Sequence, residues 1–436
     1  MPVSLFPWLT PEERFGVLER LIDLNLIKWD NSRKLKLKSG RMTDIYINLR
    51  NARNKPKSSA FVARVFANAI FRLNPDRLIE VPDAITPFTS RISEFTNVPY
   101  ITARSEAKEG RVADAKFVGE FRSGERACIY DDVITDGASK IVPYRECLRR
   151  DLKLLPIVVL VDRQQGWKEK FVELGINADI WPGMTLHDVR RHLIENSYMK
   201  RCDPDIEEKN PMIIGLDGKS WEEHLPLIDE LRTVGCILKA NDLAFNEGIK
   251  NLFPNLGVYG RIMYDLKGHD IPNTLKNISQ HLLPYPPWAV TVHGTGGKEM
   301  IEEVVKTLAD TPTKVLVVTL LTSIDAKTCE EIYVRQPIEQ VRTLARIADR
   351  AGAHGLVCAA SETAELKQTY PHMTIINPAI RSAGTEIAGD DQARMNTPLG
   401  AIQNGADYIV MGRQITRAEN PAAEVMRVLK EELEVI

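Results

Sequence analysis

The stretch from Met212 to Leu238 reads MIIGLDGKSWEEHLPLIDELRTVGCIL and contains the pattern that decides the fold of the second half of the chain. A short apolar run, Met212–Leu216, precedes an amphipathic segment, His224–Val234, and a second apolar run, Cys236–Leu238. Short apolar runs favour buried strands, and apolar residues spaced three and four apart favour a helix. The stretch therefore predicts a strand–helix–strand unit.

This unit recurs toward the C-terminus. Six further apolar runs follow at fairly even intervals: Arg261–Tyr264, Ala289–Val292, Val315–Leu321, Gly355–Ala359, Met373–Ile376 and Tyr408–Met411. Amphipathic segments lie between or after them: Met300–Leu308, Ile338–Ala351 and Ala422–Leu433. Eight strand–helix units in about 225 residues match a (β/α)8 barrel, also called a TIM barrel. An open doubly wound sheet is the alternative, but no Gly-rich dinucleotide fingerprint follows the first strand.

The first half is less regular but also alternates. Its patterns predict helices over Pro11–Leu24 and Ser59–Leu73, and strands over Arg77–Val81, Ala127–Tyr130 and Pro156–Val161. Alternating strands and helices predict a mostly parallel sheet with helices on both faces.

A seam separates the two halves. The polar segment Tyr198–Pro211 carries two prolines and a charge run, so we expect a linker, 198–211, between domains 1–197 and 212–436. A long surface loop within one domain is the alternative.

Composition excludes several classes of protein. The 436 residues are 44% hydrophobic and 27% charged, with a formal charge of −2, which is the balance of an ordered globular protein without a broad basic face for nucleic acid. The longest strongly apolar run, Val315–Leu321, is far shorter than the ~20 residues that span a bilayer. The N-terminus lacks a signal-peptide pattern, and the six cysteines and eight histidines show no metal-ligand spacing. We expect a cytoplasmic enzyme without a resident metal or a membrane partner.

The segment Ala127–Ser139, ACIYDDVITDGAS, predicts a phosphate cradle. A buried strand would deliver Asp131 and Asp132 to the end of a sheet, and a tight turn into a helix would follow. Exposed N–H groups and hydroxyls at such a turn bind phosphate, and the two acids suit ribose hydroxyls. An acidic pair at a strand end also occurs in metal and nucleotide sites or as solvated turn residues.

A second group of charges follows the predicted barrel strands. Asp217 follows the first strand and Lys239 the second, while Asp265 and Lys267 end the third and Asp270 lies just beyond. Residues two apart on a strand share a face, so Asp265 and Lys267 would both point into the C-terminal mouth of the barrel. Alternating acids and lysines keep one another charged. Such rows also occur as plain surface salt bridges.

Six motifs in the second half resemble the orotidine 5'-monophosphate decarboxylase family. They are DLKGHDIPNT (265–274), TVHGTGG (291–297), LTS (321–323), NPAIR (377–381), DDQARMNTP (390–398) and GADYIVMGRQIT (405–416). The resemblance implies decarboxylation of orotidine 5'-phosphate to UMP without a cofactor. It names as catalytic residues Lys267, Asp265 and Asp270. It also implies substrate contacts from Asp217, Lys239, Ile271, Thr274, Thr322, Ser323, Arg381, Gln392, Gly412 and Arg413.

The same resemblance implies a role for each of these side chains. Lys267 would stabilise and then protonate a carbanion at C6, beside a repulsive Asp265. The ribose would be bound by Asp217 and Lys239, the pyrimidine edge by Thr322 or Ser323, and the phosphate by Arg381, Gln392, Gly412 and Arg413. The neighbouring subunit's site would be reached by Asp270, Ile271 and Thr274, which implies a homodimer or a higher homo-oligomer. Ala379 stands where the family usually has Gly.

Motifs in the first half resemble the orotate phosphoribosyltransferases. They are LKLKSGRMTDIYINLRN (35–51), RSEAKEG (104–110) and LVDRQQG (160–166), together with the phosphate cradle. The resemblance implies that Lys38, Arg104 and Lys108 contact pyrophosphate, and that phosphoribosyl pyrophosphate (PRPP) enters with Mg²⁺. It assigns ribose and 5'-phosphate to Asp131, Asp132, Thr135, Gly137, Ala138 and Ser139.

This half departs from the family pattern at several positions. Ser105 follows Arg104 where a second basic residue is usual, the loop after Lys108 is short and lacks a His, and Asp136 lies in the cradle. The order of the halves resembles the bifunctional UMP synthase family, with orotate, PRPP and orotidine 5'-phosphate as small-molecule partners. One alternative is a decarboxylase whose first half is a non-catalytic binding or scaffold module. A purely regulatory nucleotide-binding protein is a third hypothesis.

Overall fold

A computed structural model describes residues 7–31, 34–37, 42–82, 84–103, 117–384 and 396–436. The chain divides into two units, Met1–Met199 and Lys200–Ile436. The domain boundaries expected from the sequence lie near this division and stay a prediction.

The first unit alternates strands and helices. Its strands are β1 Ile27–Trp29, β2 Leu35–Lys36, β3 Met42–Thr43, β4 Ile45–Ile47, β5 Arg77–Glu80, β6 Tyr100–Ala103, β7 Phe117–Val118, β8 Arg126–Ile134, β9 Lys153–Leu154, β10 Ile157–Asp162 and β11 Ile180–Thr185. Its helices are α1 Pro11–Asp23, α2 Pro56–Leu73, α3 Thr86–Thr96, α4 Ala138–Arg149, α5 Trp167–Glu173 and α6 Leu186–Glu195, with a 3₁₀ helix over Leu49–Asn54. Helix α1 begins at a capping box, in which Thr10 and Glu13 bind each other's backbone N–H groups.

Seven of these strands form one sheet in the order β11-β10-β8-β5-β6-β7, with β9 beside β8. The pairs are parallel except β6–β7. Alternate residues of β8 belong to two separate apolar clusters, with Cys128 and Tyr130 in one and Ala127 and Ile129 in the other. Both faces of the sheet are therefore buried, which confirms the predicted parallel sheet with helices.

The polar stretch before Arg126 contains a strand that sequence reasoning does not predict. Phe117 of β7 is buried, and β7 pairs with β6 through Ala103. A two-residue strand is too short to carry a periodic pattern, so only the tertiary pairing reveals it.

The second unit is a barrel. Its strands are β12 Met212–Leu216, β13 Ile237–Ala240, β14 Ile262–Gly268, β15 Ala289–His293, β16 Lys314–Val318, β17 Gly355–Val357, β18 Thr374–Asn377 and β19 Tyr408–Met411. Its α-helices are α7 Pro204–Lys209, α8 Trp221–Leu231, α9 Asp242–Glu247, α10 Ile249–Leu256, α11 Pro272–Gln280, α12 Gly297–Thr307, α13 Ala326–Tyr333, α14 Pro337–Arg350, α15 Thr363–Thr369, α16 Pro398–Gln403, α17 Arg413–Thr416 and α18 Pro421–Arg427. Short 3₁₀ helices cover Arg232–Val234 and Gly294–Gly296, and a π-helical turn covers Val428–Glu432.

The eight strands β12 to β19 close into a parallel barrel in chain order, which confirms the TIM barrel and excludes the open sheet. Apolar side chains from successive strands fill the interior, among them Ile213, Ile237, Met263 and Leu316. In the stretch that opens the unit, Ser220 and Glu223 form the capping box of α8. The barrel therefore has a packed core, and its C-terminal mouth is left for a site.

The segment expected to be a linker holds helix α7. Its residue Glu207 forms ion pairs with Arg201 and Arg261. Asn210 is buried and donates to the carbonyl oxygen of Val234 at 2.6 Å. The C-terminal part of this segment is thus packed on the barrel. In the part of the chain that the structure describes, no helix combines the length and the apolarity needed to cross a membrane.

Candidate active site

A cavity of about 560 Å³ lies at the C-terminal ends of the barrel strands. This volume falls in the range of small-molecule sites. Its polar and charged lining comprises Asp217, Lys239, Asp265, Lys267, Thr322, Arg381, Arg413, Thr416 and Arg417. Val318, Leu320, Val357, Ile380 and Val410 are among its apolar lining residues. The cavity therefore combines an apolar wall with charged groups of both signs.

Four of these side chains form an alternating charge row. Lys239 Nζ lies 3.2 Å from Asp217 Oδ1 and 3.3 Å from Asp265 Oδ2, and Lys267 Nζ lies 2.5 Å from the same Asp265 oxygen. The side chains of Lys239 and Asp265 are 12% and 9% exposed, whereas those of Lys267 and Asp217 are 39% and 57% exposed. The middle of the row is thus buried, and its two ends are open.

The row keeps its central members charged. Burial disfavours the ammonium of Lys239, but the carboxylates of Asp265 and Asp217 outweigh it, so the pKa of Lys239 is raised. Burial likewise disfavours the carboxylate of Asp265, but Lys239 and Lys267 outweigh it and lower the pKa of Asp265. Both groups are therefore ionised at neutral pH, in a place where an isolated charge would be neutralised.

The end of β14 departs from a regular strand. The pairing of β14 with β15 shifts register between Tyr264 and Gly268, and Lys267 has a φ of 49°, in the left-handed region. Thr291 on β15 holds this backbone: its hydroxyl accepts from the Lys267 N–H at 2.9 Å and donates to Asp265 Oδ1 at 3.0 Å. Asn241 also donates to the carbonyl oxygen of Asp265, at 2.6 Å. The irregularity lets Asp265 and Lys267 meet, which simple alternation along a strand does not describe.

Two arginines also line the cavity. Arg381 follows β18 and Arg413 follows β19, and both line the cavity together with Gly412 and Ala379. Burial and the nearby guanidinium of Arg413 lower the pKa of Arg381. Two cations that repel one another across a cavity wall suit an anionic ligand with several acceptor oxygens, such as a phosphate.

Comparisons with known proteins address the same part of the chain. Residues 210–428 match the family described as orotidine 5'-phosphate decarboxylase / HUMPS. Orotidine 5'-phosphate decarboxylase of Pseudomonas putida strain W619 is 36% identical over 228 residues, covering 51% of this chain and 97% of the relative. The chain belongs to the orotidine 5'-phosphate decarboxylase / HUMPS family.

Two solved structures are also similar to parts of the chain. The orotidine 5'-phosphate decarboxylase of Lactobacillus acidophilus is 30% identical, with a TM-score of 0.45, covering 51% of this chain and 98% of that one. A UMP synthase of Leishmania donovani is 31% identical, with a TM-score of 0.36, covering 42% of this chain and 38% of that one.

Most of the residues that the resemblance to the decarboxylases assigns to the site lie around one cavity. Eight of them line it: Asp217, Lys239, Asp265, Lys267, Thr322, Arg381, Gly412 and Arg413. Ser323 is exposed and lies outside the lining. Gln392 lies outside the described residues.

Three further expected residues lie outside the cavity lining. Asp270 and Ile271 are exposed, Ile271 to 66%, and Thr274 is partly exposed at the start of α11. The lining formed by the described part of the chain includes none of the three. Their assignment to the site of a neighbouring subunit stays a prediction.

Sequence reasoning missed Thr291 and Asn241, which position the charge row. Thr291 lies in the TVHGTGG motif, but its role depends on the pairing of β14 with β15. A buried hydroxyl in an otherwise apolar strand was the available signal, because such groups are almost always hydrogen-bonded.

The expected phosphate cradle of the first unit lies where β8 leads into α4. Gly137 has a φ of 75°, and a Cβ there would clash with the ring of Phe171, so the turn requires glycine. Thr135 is partly exposed, and Ala138 and Ser139 are exposed at the start of α4. Asp136 bonds both the turn and Lys170: its Oδ1 accepts from the Ala138 N–H at 3.1 Å, and its Oδ2 lies 2.5 Å from Lys170 Nζ. This ion pair balances the acid that the sequence places in the cradle.

A buried lysine under this turn was not foreseen. Lys140 Nζ donates to Asp131 Oδ2 at 2.5 Å, to the carbonyl oxygen of Val133 at 2.8 Å and to Ser139 Oγ at 3.0 Å. Its side chain is 3% exposed and that of Asp131 is 5% exposed. Asp131 lies within β8 rather than at its end, and its carboxylate is bound to this ammonium. Its assignment to ribose hydroxyls stays a prediction.

Asp132 is half-buried beside Asp131 in the same strand. Burial and the Asp131 carboxylate raise the pKa of Asp132 to about 7. Lys38, Arg104 and Lys108, which the resemblance assigns to pyrophosphate, lie outside the described residues.

Proposed function

We propose that the barrel decarboxylates orotidine 5'-phosphate to UMP, and that the first unit supplies this substrate from orotate and PRPP. The proposal for the barrel is carried by the row Asp217–Lys239–Asp265–Lys267, which lies in the same cavity as Arg381 and Arg413. Membership of the decarboxylase family supports it independently.

The reaction breaks the bond between C6 and the carboxylate, and the electron pair stays on C6 as CO₂ leaves. Lys267 would stabilise this carbanion and then transfer a proton from Nζ to C6. The like charge of Asp265 beside the substrate carboxylate contributes about 4 kcal/mol of repulsion at about 4 Å and an effective dielectric near 20. We give stabilisation of the anion the larger share, because preorganised charges act where charge develops. That no cofactor takes part stays a prediction.

The remaining barrel residues would bind the rest of the nucleotide. Asp217 and Lys239 lie at one end of the charge row and suit ribose hydroxyls, while Thr322 suits the pyrimidine edge. The phosphate would be held by Arg381 and Arg413, together with the N–H of Gly412 and with Gln392. Binding energy from this remote group can be used to orient the base against the charge row.

The exposed residues after β14 support a dimer. Ile271 is a large apolar side chain that is 66% exposed, and it follows the exposed Asp270. We propose that Asp270, Ile271 and Thr274 complete the site of a second subunit. Sedimentation or light scattering of the full chain tests this, and a monomer that is fully active would contradict it.

For the first unit, the turn at Gly137 supports binding of a phosphoribosyl group. Ribose and 5'-phosphate would be contacted by Asp132 and by the turn residues Thr135, Ala138 and Ser139. Pyrophosphate would be contacted by Lys38, Arg104 and Lys108. Mg²⁺ would enter on the phosphate oxygens of PRPP, which are the hard ligands that this ion prefers.

The test for the two activities uses the full chain with orotate, PRPP and Mg²⁺. Release of pyrophosphate followed by CO₂ supports the bifunctional enzyme. Release of CO₂ from added orotidine 5'-phosphate without any pyrophosphate from orotate would instead favour a non-catalytic first unit.

The independence of the barrel can be tested with two fragments. A fragment that begins at Lys200 retains the carbonyl oxygens of Lys200 and Arg201, which accept from the buried Arg232. A fragment that begins at Asn210 loses both acceptors. We expect the longer fragment to decarboxylate alone and the shorter one to be less stable. Two inert, unfolded fragments would contradict the proposal of separable domains.

A further inference from the structure

The residues that directly follow the two cavity arginines are bonded to each other. Ser382 follows Arg381, and Gln414 follows Arg413. The Ser382 N–H donates to Gln414 Oε1 at 2.9 Å, and Gln414 Nε2 donates to Ser382 Oγ at 2.7 Å. We call this reciprocal pair the Ser382–Gln414 clasp. It joins the loop after β18 to the start of α17.

We propose that the clasp positions Arg381 and Arg413 and thereby sets the affinity of the cavity for a phosphate monoester. This inference deepens the proposed decarboxylase function and rests on it. The two arginines follow different strands and repel one another, so their approach must be held by other bonds. The Gln414 side chain bonds both the backbone N–H and the hydroxyl of Ser382, so it ties the backbone directly after Arg381 to the residue directly after Arg413.

Three charged residues near the C-terminus of the chain, Glu424, Arg427 and Glu432, are bonded to the clasp. Gln414 Nε2 also donates to Glu424 Oε1 at 2.8 Å, and Ser382 Oγ donates to Glu432 Oε1 at 2.5 Å. Arg427 lies between these acids, 2.8 Å from Glu424 and 2.9 Å from Glu432, and donates to Ser382 Oγ at 3.1 Å. Ser382 is 8% exposed, whereas the side chains of Glu424, Glu432 and Arg427 are 22%, 19% and 34% exposed.

The network that these three residues form with the clasp consists of charge-assisted bonds. The bonds that Glu424, Glu432 and Arg427 make involve ionised partners, and such bonds are shorter and stronger than neutral ones. The network also joins α18 and the π-helical turn Val428–Glu432 to the arginine-bearing loops. The last helical turns of the barrel thus act on the phosphate end of the cavity through the clasp.

The test replaces Gln414 with Met, which keeps the size of the side chain and removes its amide. Calorimetry measures binding of UMP and of uridine to the full chain, and kinetics measures KM and kcat for orotidine 5'-phosphate. We expect Gln414→Met to weaken UMP binding about tenfold, equivalent to about 1.4 kcal/mol, while uridine binding changes by less than about twofold. We expect KM to rise about tenfold and kcat to stay within about threefold.

The exposed Gln368 on α15 provides the control, because Gln368→Met makes the same exchange at a residue that lines neither the active-site cavity nor the cavity beside the clasp. Ser382→Ala removes only the hydroxyl and should weaken UMP binding about threefold, so it gives the same test if Gln414→Met fails to fold. Equal losses for UMP and uridine, or no loss for either variant, would overturn the clasp. A wild-type chain that binds UMP more tightly than uridine but releases no CO₂ overturns only the proposed function.

Discussion

Replacing Lys267 with Ala tests the centre of the proposed mechanism. The variant removes the ammonium that lies 2.5 Å from Asp265 Oδ2 and lines the cavity. At about 4 Å from a carbanion and an effective dielectric near 20, that charge contributes about 4 kcal/mol, or roughly a thousandfold in rate. A positioned proton donor contributes about 10²–10⁴ more. We therefore expect kcat to fall by about 10⁵–10⁷.

The fold should survive this change, because Asp265 keeps other partners. Lys239 Nζ remains 3.3 Å from its carboxylate, and Thr291 still donates to Oδ1 at 3.0 Å. The lost side chain is 39% exposed, so its truncation leaves no sealed cavity in the core. Binding of UMP should consequently stay within about tenfold of wild type.

The assay follows CO₂ release from orotidine 5'-phosphate and measures UMP binding by calorimetry on the same samples. Lys298→Ala is the matched control, since Lys298 is 51% exposed on α12 and pairs with Glu302. A fall in kcat of less than about a hundredfold would refute the role of Lys267 as proton donor. Loss of UMP binding together with activity would point to misfolding instead of lost chemistry.

Three further changes test other parts of the chain. Ala379 has a φ of 66°, in the left-handed region that strains a residue with a Cβ. Ala379→Gly should therefore raise the free energy of unfolding by about 0.5–1 kcal/mol, which is the relieved strain minus the entropy cost of glycine. A lower free energy of unfolding for the variant in urea denaturation would contradict this. Lys140→Met leaves the Asp131 carboxylate buried without its cation. It should lower the free energy of unfolding by about 3–5 kcal/mol in the same measurement. The double variant Lys140→Met with Asp131→Asn should recover most of this loss, because no buried charge is left unpaired. The pKa of Asp132 in the folded chain, about 7, lies above its unfolded value, so its contribution to stability is full below about pH 4 and is lost as the pH rises through 7. Denaturation at a series of pH values should show this loss in wild type and its absence in Asp132→Asn.

Much of the fold follows from sequence periodicity. The run Met212–Leu216 coincides with β12, and the apolar run at Tyr408–Met411 coincides with β19. All five residues of β12 are buried, and β19 alternates buried and partly buried residues. Parallel strands covered on both faces have continuous apolar runs, which sequence analysis detects. The short strand β7 gives no such run, and its pairing with β6 depends on the sheet already being formed.

The candidate site was predictable in its residue types and less so in its geometry. Spacing and family motifs bring Asp265 and Lys267 to the end of β14, but the register shift and the left-handed Lys267 depend on Thr291 of the neighbouring strand. Lys140 and the Ser382–Gln414 clasp were missed for the same reason. Lys140 bonds Asp131 of β8, and Gln414 bonds Ser382 in the loop after β18. A local sequence pattern cannot predict a contact between residues on different elements.

The alternating row also determines how the cavity distributes its attraction for a ligand. The two carboxylates and two ammoniums of the row sum to zero charge, whereas Arg381 and Arg413, which follow β18 and β19, add positive charge to the cavity. If orotidine 5'-phosphate binds here as proposed, its phosphate is attracted to these arginines before its singly charged ring reaches the row. The arginines would bind the phosphate first, and the row, which has no net charge, would then select the ring by the positions of its individual charges.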